Sequence, residues 1–314
     1  MSRLYQKICS YFTQDPIAST AIQITSRYVS GVYTSYKNCL LKNHFILPLQ
    51  EHIVKPSYSG KNIQDRTGLE QVVLKGKDQL GLNGRKVAFL LPEQCQRLFV
   101  FSFDSLPKSH KDKALVIQHR VKKQMPMMAE DSRLAFHVVK AAEKERVIAS
   151  IVKNPVIREY EDLLSRCGID VGIVANPVIS LYHCVDWPEE KNILLINIEA
   201  DSLGLLAVVS KEIVLARQKG GFLSEDEPDG EAPRIRNIIQ EINNTIHFIE
   251  DHDHHRIDTI QIRLGFVEGG EKIFNALKDH LEFPVQKIVS TLKLSLSAED
   301  QNILSPLLGQ TICQ

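Results

Sequence analysis

Short strand-like runs of mainly apolar residues recur in two separate parts of the chain. Each part holds three such runs, joined by short polar links. The six runs are residues 21–26, 29–36, 44–49, 192–199, 203–209 and 212–217. Strands joined by such short links pair with their neighbours, so each triplet predicts an antiparallel β-meander.

Helical periodicity follows each meander. A helix is predicted over residues 63–80 in the first part and over 233–251 in the second, where isoleucines recur every three to four residues. Further along, strands are predicted at 171–175 and 259–265, and each is followed by another helix. The chain therefore holds two copies of one βββαβα plan, which indicates an α/β protein built by internal duplication.

A block of residues, 86–153, interrupts the first copy. Its predicted elements are strands at 86–91, 98–103, 134–139 and 147–152 and a helix at 109–125. Such a mixture predicts a small α+β subdomain inserted into the first half. The predicted division of the chain is an N-terminal segment 1–18, a first half 19–85 completed by 154–190, the insert 86–153, and a second half 191–314.

Composition narrows the class of protein. Lys and Arg number 38, and Asp and Glu also number 38, whereas nucleic-acid binders normally show a basic excess. No apolar run approaches the ~20 residues that span a bilayer, and the start lacks the apolar core of a signal peptide. The six cysteines are scattered, without a CxxC pair. We therefore expect a cytoplasmic protein with reduced thiols, no transmembrane segment and no nucleic-acid partner.

Four stretches resemble one family. They are VAFLLP at 87–92 with 97–103, VKKQMP at 121–126, residues 194–199 through 217–221, and the helix 240–248. Together with the duplicated plan, they resemble the PilM-like proteins of type IV pilus assembly, which are related to FtsA and to the cytoplasmic domains of type II secretion L proteins. The resemblance implies an actin-like (ribonuclease H-like) fold whose second half is reduced, because only about a dozen residues stand where that family places a further small subdomain.

The resemblance also implies where a nucleotide would bind. In actin-like ATPases each half offers a hairpin with an Asp for the Mg²⁺ waters and a Gly for close approach to phosphate. Here Gln23 and Thr25 stand at these positions in the first hairpin, and Asn197 and Glu199 stand in the second. Gly265 opens the stretch that resembles the adenosine loop. With both carboxylates replaced by amides and an anion in place of a glycine, we expect no ATP or Mg²⁺ cofactor and no catalysis.

A scaffold function is therefore what the resemblance implies. We expect the chain to lie at the inner membrane through its partners and to bind the cytoplasmic N-terminal peptide of a PilN-like protein. Contact with an assembly ATPase and self-association stay open. Two alternatives also stay open, namely a divergent nucleotide-binding ATPase and the cytoplasmic domain of a type II secretion L protein.

Two sets of residues in the insert are candidates for partner contact. Phe99, Phe101 and Phe103 alternate along one strand and share a face. Core packing is the simpler explanation, and a groove for a partner's apolar peptide is the functional one. Lys122 and Lys123 lie on a basic helix face, which is either solvated or a partner contact. The cluster DHDHHR at 251–256 follows a predicted helix end, and we expect no metal there.

Overall fold

A computed structural model describes residues 18–311 except 36–39, 83, 85, 126–130, 142–143, 186, 189–190, 221–230, 267–268 and 289–295. The predicted N-terminal segment 1–18 lies outside the described residues, apart from Ala18. The short link between the second meander and its helix, 221–230, lies outside them as well.

The described elements follow the order strand, strand, strand, helix, strand in both halves of the chain. The strands are β1 (Thr20–Ile24), β2 (Tyr28–Thr34), β3 (Leu41–Pro48), β4 (Lys86–Leu90), β5 (Gln96–Phe103), β6 (Ser132–Ala141), β7 (Lys144–Lys153), β8 (Asp170–Ala175), β9 (Ile193–Ile198), β10 (Ser202–Val209), β11 (Glu212–Gly220), β12 (Thr259–Leu264) and β13 (Val285–Lys287). The helices are α1 (Arg66–Leu80), α2 (His110–Gln124), α3 (Asn154–Arg166), α4 (Pro177–Tyr182), α5 (Glu231–Asp253), α6 (Gly270–His280) and α7 (Ala298–Thr311).

The two halves contain sheets of one topology. The first sheet has the order β3-β2-β1-β4-β8, and the second has the order β11-β10-β9-β12-β13. In each sheet the three meander strands pair antiparallel and the last two strands join in parallel. Every residue of β1, β9 and β10 is buried, as expected for strands covered on both faces. The duplication in the sequence is thus a duplication of structure.

Three apolar clusters hold these layers together. Helices α1 and α3 cover the outer face of the first sheet, and α5 and α6 cover the outer face of the second. Between the sheets, α4 and α7 pack on each other within a central cluster that includes Leu90 and Leu195. At this contact Gly309 of α7 lies so close to Ser180 that a Cβ atom would collide with the Ser180 carbonyl oxygen.

Local signals in the sequence explain several helix ends. The Asp65 side chain accepts a hydrogen bond from the Gly68 N–H at 3.1 Å and so caps α1. Gly81 ends that helix in the left-handed conformation, with φ of 63°. Asn176 caps α4 by accepting from the N–H groups of Val178 and Ile179 at 3.0 and 3.1 Å.

The insert is a three-stranded antiparallel sheet in the order β5-β7-β6 with α2 packed on one face. The insert was predicted to start at residue 86, but its first strand is β5. Residues Lys86–Leu90 form β4, which pairs with β1 and β8 in the sheet of the first half. Only the short 3-10 turn Glu93–Cys95 separates β4 from β5, so the sequence shows no break between the two layers.

Candidate functional site

The two meander hairpins meet at the centre of the molecule. All four hairpin positions singled out in the sequence are buried: Gln23, Thr25, Asn197 and Glu199. The Gln23 amide donates to Glu199 Oε1 at 3.1 Å, which links the two halves directly. Thr25 stays within its own hairpin, because its hydroxyl donates to the Tyr28 carbonyl at 3.0 Å.

A fully buried arginine, Arg263 of β12, occupies the space between the hairpins. Its guanidinium forms an ion pair with Glu199 and donates to Asn197 Oδ1 at 2.9 Å. It also donates to the Tyr28 hydroxyl at 2.8 Å and to the Ile303 carbonyl at 2.6 Å. The same cation therefore binds both hairpins and the start of α7, and we call this group the cleft network.

Burial alone lowers the pKa of Arg263, but the carboxylate of Glu199 raises it, and the net pKa lies above the ordinary value. The guanidinium is therefore charged. Glu199 accepts from Gln23 and from the Tyr28 hydroxyl, at 3.1 Å in both cases, in addition to facing Arg263. A buried ion pair needs this density of hydrogen bonds, because each charge has lost its water.

Glu93 extends the cleft network on the side of the insert. Its Oε1 accepts from the Asn197 amide at 2.8 Å. Burial raises the pKa of Glu93 to about 8, even though the hydrogen bond from Asn197 acts in the opposite direction. Gly204 makes room for this carboxyl group, since a Cβ atom at residue 204 would collide with it. Burial therefore favours the protonated form of Glu93.

Sequence reasoning missed three members of the network: Tyr28, Glu93 and Arg263. Of the three, Arg263 could have been noticed in the sequence, because its charge interrupts the apolar strand β12. In the parallel pairing of β12 with β9 it lies beside Asn197. Neither observation reveals from sequence alone that Glu199 supplies the counter-charge.

Solved structures of other proteins share this fold. Over 94% of this chain and 97% of the other, the fold matches the structure of a PilM–PilN type IV pilus biogenesis complex with a TM-score of 0.75 at 14% sequence identity. The actin-like ATPase fold is what the chain has. The cytoplasmic domain of EpsL, an inner-membrane component of the Vibrio cholerae type II secretion system, matches with a TM-score of 0.52 at 11% identity, covering 93% of both chains.

A third solved structure is a Bacteroides thetaiotaomicron protein of actin-like ATPase fold and unknown function. It matches with a TM-score of 0.54 at 12% identity, covering 94% of this chain and 98% of that one. No protein-family model matches the sequence, and neither does any curated protein. The predicted PilM-like, duplicated actin-like fold is thereby confirmed.

Actin-like ATPases hold Mg-ATP between their two hairpins, but the residues present here do not fit that group. The cavity that the described residues leave between the hairpins has a volume of about 10 Å³, which is the room of about one water molecule. The Arg263 cation and the Glu199 anion occupy the centre of the cleft. Gly265 gives no access either, because it is buried and the position of a Cβ atom there is filled by Glu199 and Arg263.

The candidate partner residues of the insert lie on the side that α2 covers. Phe101 is buried, Phe99 and Phe103 are half-buried, and Ile117 of α2 packs in the same cluster. The rings of Phe99 and Phe101 stack at 5.7 Å between centroids. These phenylalanines therefore form the core of the insert. Partner contact through them stays a prediction, as it does for Lys122 and Lys123, which are exposed on α2.

The opposite face of the insert carries a different set of apolar side chains. Val100 and Ile148 point away from α2, because they alternate with the buried core positions along β5 and β7. They are half-buried against the central cluster, together with apolar residues of β8 and α4. We define the boundary surface by its half-buried members, Val100, Ile148, Ile173, Ala175, Ile179 and Tyr182.

Two further features mark the boundary surface. The pKa of His183, at the end of α4, is lowered by burial and further by the neighbouring His137 of β6, so the insert lies close to α4 here. Strand β8 is an edge strand: among the described residues no strand pairs with its outer side. The boundary surface thus combines half-buried apolar side chains with a sheet edge to which no described strand is paired.

The histidines and cysteines form no metal centre in the ranges that the structure describes, where no group of three or more His, Cys, Asp or Glu side chains is close enough to hold a metal ion. His252 of the predicted cluster instead stacks on Phe248 at 4.2 Å between ring centroids. Cys95, Cys167 and Cys184 are buried cysteines that form no disulfide with one another. Of the helices described, none has both the length and the apolarity needed to cross a bilayer.

Proposed function

We propose that this chain is a non-catalytic docking scaffold of a type IV pilus or related secretion platform, and that it binds an extended N-terminal segment of a PilN-like membrane protein. The boundary surface carries this proposal. An extended segment can add to the outer edge of β8 through main-chain hydrogen bonds, while alternate side chains enter the apolar positions beside it. Similarity of fold to the PilM–PilN complex supports the choice of partner.

The cleft network supports the non-catalytic part of the proposal. The hydrogen bonds from Gln23 to Glu199 and from Arg263 to Tyr28 join the two halves through side chains of the protein itself. The scaffold would then present its boundary surface constitutively, beside an inner membrane that it reaches through its partner.

A second branch of the same function follows from the likeness to the EpsL cytoplasmic domain, an inner-membrane component of a type II secretion system. The structural match is weaker, with a TM-score of 0.52 against 0.75. We therefore favour the pilus branch.

The test is fluorescence anisotropy with a labelled peptide that carries the cytoplasmic N-terminal sequence of the organism's PilN-like protein. Ile148→Asp places a charge in the boundary surface and is expected to weaken binding at least about tenfold, since one buried unpaired charge costs more than about 1.4 kcal/mol. Leu115→Asp is the matched control, because Leu115 is exposed on the opposite side of the insert.

Equal binding by wild type and Ile148→Asp, with both proteins folded by circular dichroism, would refute the boundary surface as the docking site. Point variants are preferable to removal of residues 86–153, because that deletion would take β4 out of the first sheet.

A further inference from the structure

The outward face of helix α2 combines lysines with exposed aliphatic side chains. We define the α2 patch by six exposed residues: Lys111, Leu115, Val116, His119, Lys122 and Lys123. Leu115 is 57% exposed and Val116 is 37% exposed, which is unusual for aliphatic residues of a helix that has a packed inner face. Ile117 and Val121 supply that inner face, so the patch is not a part of the insert's core.

Positive charge is concentrated at this place. The chain as a whole has a formal net charge of zero, but residues 91–153, which follow β4, hold twelve Lys and Arg against seven Asp and Glu. Within residues 108–123 the ratio is six to one, with Asp112 as the single acidic residue. The rest of the chain therefore carries an equal excess of negative charge, and the insert is the positively charged part of the molecule.

The lysines of the α2 patch are not neutralised by acidic side chains in the part of the chain that the structure describes. None of Lys111, Lys122 and Lys123 forms an ion pair with any residue in the described part of the chain. Helical geometry places Leu115 between Lys111 and Lys122 along one line of the helix, since these residues are four and seven positions apart. Val116, His119 and Lys123 form the adjacent line at intervals of three and four residues.

We propose that the α2 patch rests on a bilayer surface that contains anionic phospholipids. Lysines near such a surface are attracted to its negative potential, and aliphatic side chains between them enter the headgroup region. The patch faces away from the boundary surface, because α2 and Val100 lie on opposite faces of the insert's sheet. The scaffold could therefore touch the bilayer and hold its partner's segment at the same time.

An acidic protein is the competing occupant of this surface, and the side chains favour lipid. Five of the six cations in residues 108–123 are lysines, which act as mobile point charges rather than as the bidentate forks that recognise fixed carboxylates. The two exposed aliphatic residues lie on a convex helix surface rather than in a groove. A diffuse anionic surface matches these features better than a single acidic peptide does.

Vesicle co-sedimentation of the full chain tests this proposal. We expect binding to phosphatidylcholine vesicles that contain phosphatidylglycerol, no binding to pure phosphatidylcholine vesicles, and release when salt is raised to shorten the Debye length. An α2 triple variant is expected to weaken binding at least about tenfold; it combines Lys111→Glu, Lys122→Glu and Lys123→Glu. Leu115→Ser with Val116→Ser is expected to weaken it by a smaller factor at unchanged charge.

The matched control is Lys61→Glu with Lys75→Glu and Lys278→Glu, which reverses three exposed lysines outside the insert. It should retain most of the binding, although the net charge is the same as in the α2 triple variant. Equal losses in the two triple variants, equal binding to both vesicle types, or binding to polyglutamate without binding to vesicles would each overturn the proposal. Peptide binding at the boundary surface is measured separately without lipid, so either proposal can fail while the other stands.

Discussion

The guanidinium of Arg263 lies against the carboxylate of Glu199 at the point where the two halves of the fold meet. Both side chains are nearly inaccessible to solvent, with exposed fractions of 0% and 6%. The pair stands between the hairpins that hold Mg-ATP in ATPases of this fold, and it links them through Gln23, Tyr28 and Asn197. A built-in ion pair thus stands between the two hairpins of this fold.

The first prediction concerns the strength of this contact. Glu199→Gln leaves the Arg263 cation buried without its counter-charge and is expected to lower the free energy of unfolding by about 3–5 kcal/mol. Glu271→Gln is the control, because Glu271 pairs with Lys287 at the surface and its side chain is 73% exposed; the expected change is below about 1 kcal/mol. Equilibrium urea unfolding measures both.

A double-mutant cycle sharpens this prediction. Arg263→Met combined with Glu199→Gln removes both charges, so the loss of stability should be smaller than the sum of the two single losses. Strict additivity of the two losses would show that the residues do not interact as the structure indicates.

The second prediction concerns pH. Burial raises the pKa of Glu93 from 4.5 to about 8, so the folded state holds this proton more tightly than the unfolded state does. The contribution of Glu93 to stability is complete below about pH 4.5 and is lost as the pH rises towards about 8. Glu93→Gln keeps an uncharged acceptor for Asn197. Relative to this variant, wild type should lose stability as the pH rises through that window.

Urea unfolding at a series of pH values provides the measurement. Parallel stability curves for wild type and Glu93→Gln would mean that Glu93 titrates alike in the folded and unfolded states, contrary to its burial.

The third prediction concerns nucleotide. Isothermal titration calorimetry should detect no micromolar binding of Mg-ATP, and no hydrolysis should be measurable, because the cleft network leaves no room for a triphosphate. Gln23→Asp combined with Glu199→Gly should not restore binding, since Arg263 remains in the cleft. Micromolar affinity in wild type would contradict the account of this site.

The fourth prediction tests the contact between α4 and α7. Gly309→Ala forces a methyl group onto the Ser180 carbonyl and should cost at least about 2 kcal/mol, because both groups are held by helix backbone. Gly270→Ala is the control, since a Cβ atom there would have its nearest contact, Leu264 Cδ1, at 3.5 Å, an ordinary van der Waals distance. Equal melting temperatures for the two variants would contradict the close approach of α7 to α4.

Much of the fold could be predicted because it depends on local patterns. Short apolar runs with short polar links identified the meanders, and the isoleucine stripe identified α5. The start of the insert was placed one strand too early, because β4 and β5 are both apolar and only a short turn lies between them. Strand pairing decides which sheet contains β4, and pairing with β1 is a long-range contact that no local pattern records.

The site was only partly predictable for the same reason. Gln23, Asn197 and Glu199 could be identified as departures from a hairpin pattern, but their partners come from distant parts of the chain. Arg263 is 64 residues from Glu199, and Glu93 is 104 residues from Asn197. The phenylalanines of β5 were easier to interpret from sequence. Their alternation places them on one strand face, and in the structure that face is the core of the insert.

The central claim is that this fold serves as a docking scaffold without nucleotide, and one titration tests it most directly. The labelled N-terminal peptide of the PilN-like protein is titrated with the wild-type chain in the presence and absence of Mg-ATP. The account predicts saturable binding with the same affinity in both conditions, because hydrogen bonds from Gln23 and Tyr28 to the Arg263–Glu199 pair already join the two halves. Binding that requires Mg-ATP, or that Mg-ATP changes severalfold, would contradict it.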